Sequence, residues 1–290
     1  MSSMATAAAR KTVALGRMVK IEHSVFALPF AYLGTFLAAR GWPGTKTFIA
    51  LTVAMVAVRS FAMAVNRIAD LPFDRKNPRT ASRPLVTGEI GLVEAWIFLV
   101  VAAAVFVAAC WTMNRLCLYL AGPALAWSAL YSVTKRFTVL CHFFLGSVLG
   151  LAPLAGWLAF DPRLTLSAVL FFFGVTFWVA GFDLLYACQD TEFDRKEGLK
   201  SLPARMGRPV ALALSTFCHA NTVIFFLLGV WSAGLGVISY LTWAAVSLIM
   251  LAEHTIISPQ DMSRVNTAFF TMNGLVSVLF FLGVLVDILV

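Results

Sequence analysis

Apolar blocks of about 20 residues follow one another along almost the whole 290-residue chain, and they constrain its fold more than any other feature. A helix of that length crosses a hydrocarbon core roughly 30 Å thick. Backbone groups in lipid must be satisfied within their own segment, so blocks this long read as helices rather than strands. Only 12 % of the residues are charged, against about 25 % in soluble domains, and the mean hydropathy is +0.87. A water-soluble fold is therefore excluded. The sequence predicts an all-α integral membrane protein, with residues 1–290 forming one domain.

Nine spans are expected, at about 21–40, 46–70, 91–113, 116–134, 139–160, 164–188, 209–230, 233–254 and 265–289. The N-terminal segment 1–19 is basic and weakly amphipathic. It lacks the compact apolar run and small-residue cleavage site of a signal peptide, and reads as a cytosolic segment lying on the membrane surface. Most of the 22 Lys and Arg residues fall in that segment or in the loops after spans two, four, six and eight. Such alternation follows the positive-inside rule. It places the N-terminus and the long polar loops 71–90 and 189–208 in the cytosol, and the C-terminus outside. The net charge of +8 is thus an orientation signal, and nucleic acid is not expected as a partner. Cys110, Cys117, Cys141, Cys188 and Cys218 form no CxxC pair and read as small apolar helix residues.

The two long loops share a grammar. In each, a helix ends in an aspartate, a second aspartate follows four residues later, and basic residues come next. Four helices separate the loops, which reads as a weak internal repeat of two four-helix units plus one helix. The first constellation is Asn66, Asp70 and Asp74, whose spacing of four puts oxygen atoms on one helical face. Pro72 disfavours helical geometry at Leu71, so Asp74 is expected in the turn beyond the helix. Arg59 extends the same face into an apolar span, where a charged side chain normally faces a polar cavity. The second constellation is Asp183, Tyr186, Asp190 and Asp194, predicted as one continuous helical stripe. Tyr131 and Lys135 lie at the end of span four.

Clustered carboxylates repel one another unless a cation sits between them, and oxygen-only ligands suit Mg²⁺. Mg²⁺ usually bridges a few carboxylates to substrate phosphates, while Arg and Lys take the remaining phosphate oxygens. The implied ligand is a prenyl diphosphate whose chain enters the apolar bundle. Juxtamembrane charges often form only weak surface pairs, but two matching motifs at one membrane face argue against that reading. His23, His142, His219 and His254 show no mutual ligand spacing and read as interfacial or structural. Glu22 and His23, where the first span enters the membrane, are placed to reach an aromatic substrate.

These motifs resemble the UbiA superfamily of intramembrane prenyltransferases, from about Met18 to the last span. The family pattern NDxxDxxxD is met by Asn66, Asp70 and Asp74, with Arg67 where most members carry Asp. RTxxRP is Arg79 to Pro84, YxxxK is Tyr131 and Lys135, and DxxxD is Asp190 and Asp194. Arg59 matches an arginine of 4-hydroxybenzoate prenyltransferases. The resemblance implies Mg²⁺-dependent transfer of a polyprenyl group to a ring carbon of a small aromatic acceptor, in ubiquinone or menaquinone biosynthesis. That acceptor is an aromatic acid of the 4-hydroxybenzoate type, or 1,4-dihydroxy-6-naphthoate in a similar branch.

By the same resemblance, Asp70, Asp74, Asp190 and Asp194 are the catalytic acids. Asn66, Asp70 and Asp74 are expected to hold one Mg²⁺, and Asp190 and Asp194 the other. Arg59, Arg67, Lys135 and Lys200 are expected on the diphosphate. Tyr131, Asp183 and Tyr186 are expected to orient diphosphate or acceptor. The implied setting is a bacterial inner membrane with the site towards the cytosol and no obligate protein partner. A secondary transporter is the main rival, because Arg59 and Asp183 are intramembrane charges; transporter sites, however, usually lie near the midplane. A CDP-alcohol phosphatidyltransferase would carry a DGxxAR run, which is absent.

Overall fold

The computed structural model describes residues 2–20 and 26–290, with side chains from residue 10 onward. Within them every regular element is helical. The order is α1 (Ser2–Val19), α2 (Leu28–Ala39), α3 (Thr45–Asp74), α4 (Pro84–Thr87), α5 (Leu92–Met113), α6 (Arg115–Thr134) and α7 (Cys141–Phe160). Then follow α8 (Leu166–Ala187), α9 (Thr191–Lys196), α10 (Leu202–Met206), α11 (Arg208–Ser232), α12 (Val237–Thr255) and α13 (Asn273–Leu289). A 3₁₀ turn, Cys188–Asp190, joins α8 to α9, and a π-helical segment, Thr267–Met272, leads into α13.

Among the described residues, eight helices are long and apolar enough to cross a bilayer. They correspond to expected spans two to nine. The first expected span, 21–40, is different: its described helix, α2, has 12 residues and reaches only about 18 Å at 1.5 Å per residue. The rest of that expected span includes residues 21–25, outside the described residues. α2 packs inside the bundle, with Phe30, Ala31, Leu33 and Leu37 almost wholly buried. Glu22 and His23 lie outside the described residues.

Local chemistry sets the ends. The Asn114 side chain accepts the Cys117 N–H at 2.9 Å, so one residue separates α5 from α6 and caps the second. Thr165 accepts from the Ala168 N–H at the start of α8. The expected break at Pro72 does not occur. α3 continues through Pro72, and the Arg75 N–H donates to the Leu71 carbonyl at 3.2 Å. A proline there removes a single hydrogen bond near the end of a 30-residue helix, a loss that helices in bundles tolerate. Asp74 is consequently the last helical residue. The two expected loops also carry structure, α4 in 71–90 and α9 and α10 in 189–208.

Packing draws the helices together where side chains are smallest. A Cβ added at Gly156 of α7 would lie 1.9 Å from the Ala31 carbonyl oxygen of α2, and one at Gly146 would lie 2.2 Å from the Thr176 oxygen of α8. Only glycine permits these approaches. At the bundle centre Trp178, Phe30, Phe226, Phe280 and Phe171 are fully buried; the Phe226 and Phe280 rings stack at 4.5 Å. All five cysteines are free and buried.

Candidate active site

The ends of α3 and α8 meet at one end of the bundle. On α3, Asn66 Nδ2 donates to Asp70 Oδ2 at 3.1 Å. Lys135, the residue after α6, puts its Nζ 3.1 Å from the same oxygen. Asp74 Oδ2 accepts from Arg83 Nη1 at 2.5 Å. The connection after α3 folds back on itself because the Asn77 side chain accepts the Arg79 N–H at 3.0 Å, an Asx-turn. This turn aims Arg79 and Arg83 at different carboxylates. Arg79 forks onto Asp190, with Nε 2.9 Å from Oδ1 and Nη2 on Oδ2. Its Nη1 donates to Tyr186 Oη at 3.1 Å, and its carbon centre lies 5.4 Å from that ring's centroid. Asn77 Nδ2 adds a bond to Asp190 Oδ1 at 3.2 Å. Burial alone would lower the Arg79 pKa, but the Asp190 hydrogen bond and charge outweigh it and raise the pKa above its ordinary value.

The second stripe runs along one unbroken helical stretch, Leu166–Lys196, tightened by the 3₁₀ turn. Asp183 and Tyr186 lie on α8, Asp190 ends the 3₁₀ turn and Asp194 lies on α9. The tighter turn shifts Asp190 from regular α-helical register. Asp194 is nevertheless buried at the same cavity wall.

Two cavities adjoin here. A polar one of about 170 Å³ is lined by Asp70, Asp74, Asp190, Asp194, Lys135 and His142, among others. A mainly apolar one of about 270 Å³ runs between the helices past Phe26, Met55, Phe106, Leu149 and Phe269. Asn66, Arg79, Arg83, Tyr131, Asp183 and Tyr186 line both and form the junction. Arg59, Arg67 and Lys20 line the apolar cavity and not the polar one. Arg67 is buried, donating to the Met18 carbonyl at 3.2 Å and to Asn66 Oδ1 at 3.0 Å. Lys200 lines neither cavity; its Nζ donates to the Phe137 carbonyl at 3.3 Å.

The donor set suits a hard cation. Asp70 Oδ1 is buried without a hydrogen-bond partner, with Arg136 Nη2 3.9 Å away, and Asp70 lines the polar cavity. Among the described residues no three His, Cys, Asp or Glu side chains form a ready-made metal cage. Mg²⁺ does not need one, because it keeps waters and shares its shell with phosphate. Asn66, Asp70, Asp74, Asp190 and Asp194 can supply the protein's part of two such shells.

Three residues at the cavity wall carry no individual role in the sequence reading. Arg79 and Arg83 belong to the RTxxRP run, but their pairing with opposite aspartate motifs depends on the Asx-turn. His142, expected to be interfacial or structural, is buried at the cavity wall with its Nδ1 2.7 Å from Asp183 Oδ2. No linear spacing signals that pairing, since 41 residues separate the two.

Comparison with known proteins agrees with this architecture. The chain is 30% identical over 249 residues to a 4-hydroxybenzoate octaprenyltransferase of Paraburkholderia phytofirmans, covering 84% of this chain and 85% of the relative. It is 29% identical over 254 residues to the protein of that name from Sodalis glossinidius, covering 88% and 87%. A solved UbiA homologue from Aeropyrum pernix K1 superimposes with TM-score 0.83 at 37% identity, covering 92% of this chain and 98% of that one. A UbiA homologue from Archaeoglobus fulgidus bound to GPP and Mg²⁺ shares the fold, with TM-score 0.73 at 22% identity over 96% and 100% of the two chains. The sequence pattern of the UbiA prenyltransferase family matches residues 27–275, and this chain belongs to that family.

Proposed function

We propose that the enzyme transfers a polyprenyl group from a prenyl diphosphate to a ring carbon of an aromatic acid, of the 4-hydroxybenzoate type, in quinone biosynthesis. One observation carries this reading: a cavity of carboxylates and cations opens directly onto an apolar cavity that itself contains guanidinium groups. The polar side suits a diphosphate with Mg²⁺, and the A. fulgidus homologue is bound to GPP and Mg²⁺; the apolar side suits the prenyl chain and the ring. Arg59 and Arg67 lie on that apolar side, which favours the carboxylate of the acceptor as their partner over the diphosphate. The relatives named as 4-hydroxybenzoate octaprenyltransferases support the same acceptor class. 1,4-Dihydroxy-6-naphthoate also carries an acid group and would meet the same arginines.

Bound at these carboxylates, Mg²⁺ supplies charge neutralisation for the departing diphosphate. The chain does the rest. Lys135, Arg79 and Arg83 stand beside the aspartates and offer donors to phosphate oxygens where charge develops. Tyr131 and Tyr186 flank the junction where the allylic C–O bond would break. The apolar walls keep water from the resulting cation until the ring intercepts it. The excess of Lys and Arg near this end of the bundle supports a cytosolic site in a bacterial inner membrane, with residues 1–290 as one domain.

The test is prenyl transfer by purified protein with Mg²⁺. Asp70→Ala and Asp190→Ala should each abolish product; full activity in both would remove the reading.

A further inference from the structure

The six residues at the junction of the two cavities are Asn66, Arg79, Arg83, Tyr131, Asp183 and Tyr186. Prenyl transfer to a ring carbon must dispose of one proton, and Asp183 is the only carboxylate among the six. Asp70, Asp74, Asp190 and Asp194 line the polar cavity alone, and the first three are held by Lys135, Arg83 and Arg79. Asp183 has a different partner. Its hydrogen bond runs to His142 Nδ1 at 2.7 Å, with the imidazole almost fully buried.

A third group fixes the proton in that pair. The Leu202 backbone N–H donates to His142 Nε2 at 3.3 Å. Nε2 is therefore the lone-pair nitrogen, and in the neutral ring the proton sits on Nδ1. Nδ1–H then donates to Asp183 Oδ2, which holds the carboxylate in place and leaves its other oxygen, Oδ1, free of this bond. The close approach of α7 to α8 at Gly146, one turn beyond His142, makes this contact possible.

We infer that Asp183 is the base that accepts the acceptor's ring proton, with His142 as its positioning residue; this rests on the prenyl-transfer reading above. In the step, the prenyl C1–O bond breaks with its electron pair leaving on diphosphate, and a C–C bond forms from the ring's π electrons. The ring carbon then carries both the prenyl group and its hydrogen. Asp183 takes that hydrogen as a proton, and the C–H electron pair restores aromaticity. His142 keeps its own proton throughout.

The experiment compares wild type with Asp183→Asn, His142→Leu and His142→Asn in Mg²⁺, using a prenyl diphosphate and 4-hydroxybenzoate with hydrogen or deuterium ortho to the hydroxyl. Asp183→Asn should lower kcat about 10²-fold or more, the usual contribution of a positioned base. His142→Leu should lower it by about tenfold to a hundredfold, part of that same contribution. In both variants a primary isotope effect should emerge on kcat, because proton removal has become slow, while KM for prenyl diphosphate stays unchanged. His142→Asn, whose amide nitrogen can stand where Nδ1 does, should recover most of the rate and lose the isotope effect. Wild-type turnover without an isotope effect in Asp183→Asn and His142→Leu would overturn the inference while leaving the prenyltransferase reading intact. So would a His142→Asn variant as slow as His142→Leu. Wild-type protein that transfers to no acceptor would overturn the reading and the inference together.

Discussion

Arg79 ties the two aspartate motifs together, and its removal separates a structural from a chemical role. The guanidinium forks onto Asp190 and also contacts Tyr186. At about 4 Å and an effective dielectric near 20, the gross attraction of such a pair is about 4 kcal/mol. Both side chains keep some exposure, 33% for Arg79 and 19% for Asp190, so screening and desolvation reduce the net to about 1–2 kcal/mol. The effect on rate should be larger. A donor aimed at charge that develops on a leaving group is worth about 10²–10³ in kcat, or about 2.7–4 kcal/mol. Arg79→Ala should therefore cut prenyl transfer about 100- to 1000-fold, with only a modest fall in thermal stability in detergent micelles. Arg79→Lys restores charge without the fork or the ring contact and should recover no more than about a tenth of the wild-type rate. Initial rates and unfolding curves on the same preparations measure both. Arg79→Ala activity within threefold of wild type, accompanied by the stability loss, would refute the reasoning and leave Arg79 as a staple between loops.

Other outcomes follow from the same geometry. Chelation with EDTA should bring transfer to background and added Mg²⁺ should restore it, because Asp70, Asp74, Asp190 and Asp194 would otherwise face the diphosphate with like charge; a rate unaffected by EDTA counts against the metal. Arg59→Met should raise KM for 4-hydroxybenzoate about 10- to 100-fold, the worth of a charge-assisted hydrogen bond, with KM for prenyl diphosphate unchanged. The opposite pattern would return Arg59 to the diphosphate. Gly156→Ala should destabilise the bundle by about 1–3 kcal/mol through overpacking against α2, whereas Gly122→Ala, where an added Cβ meets nothing within 4 Å, should leave thermal unfolding unchanged.

Much of this was legible in the sequence because lipid imposes a simple rule on it. Apolar length alone located the eight long helices, and the spacing of Asn66, Asp70 and Asp74 located one wall of the site. What escaped depends on contacts between distant segments or on exceptions to local rules. For the first expected span only Leu28–Ala39 lies in a described helix, and its apolar composition fits burial against α7 as well as lipid. Pro72 sits where a single lost hydrogen bond is tolerable, so the general preference against helix did not decide Asp74. The expectation that Arg59 and Arg67 meet the diphosphate stays a matter for the KM test, because residue type alone does not show that both line the mainly apolar cavity. His142 gives no signal until α7 and α8 are brought together.

The most direct measurement of the central claim is mass spectrometry of purified protein incubated with Mg²⁺, one prenyl diphosphate and a panel of aromatic acceptors. The account predicts a single carbon-prenylated product from an acceptor bearing both a carboxylate and an electron-donating hydroxyl, and none when Mg²⁺ is withheld. Prenylation that is equally fast without Mg²⁺, or no prenylated product from any acceptor, would contradict it.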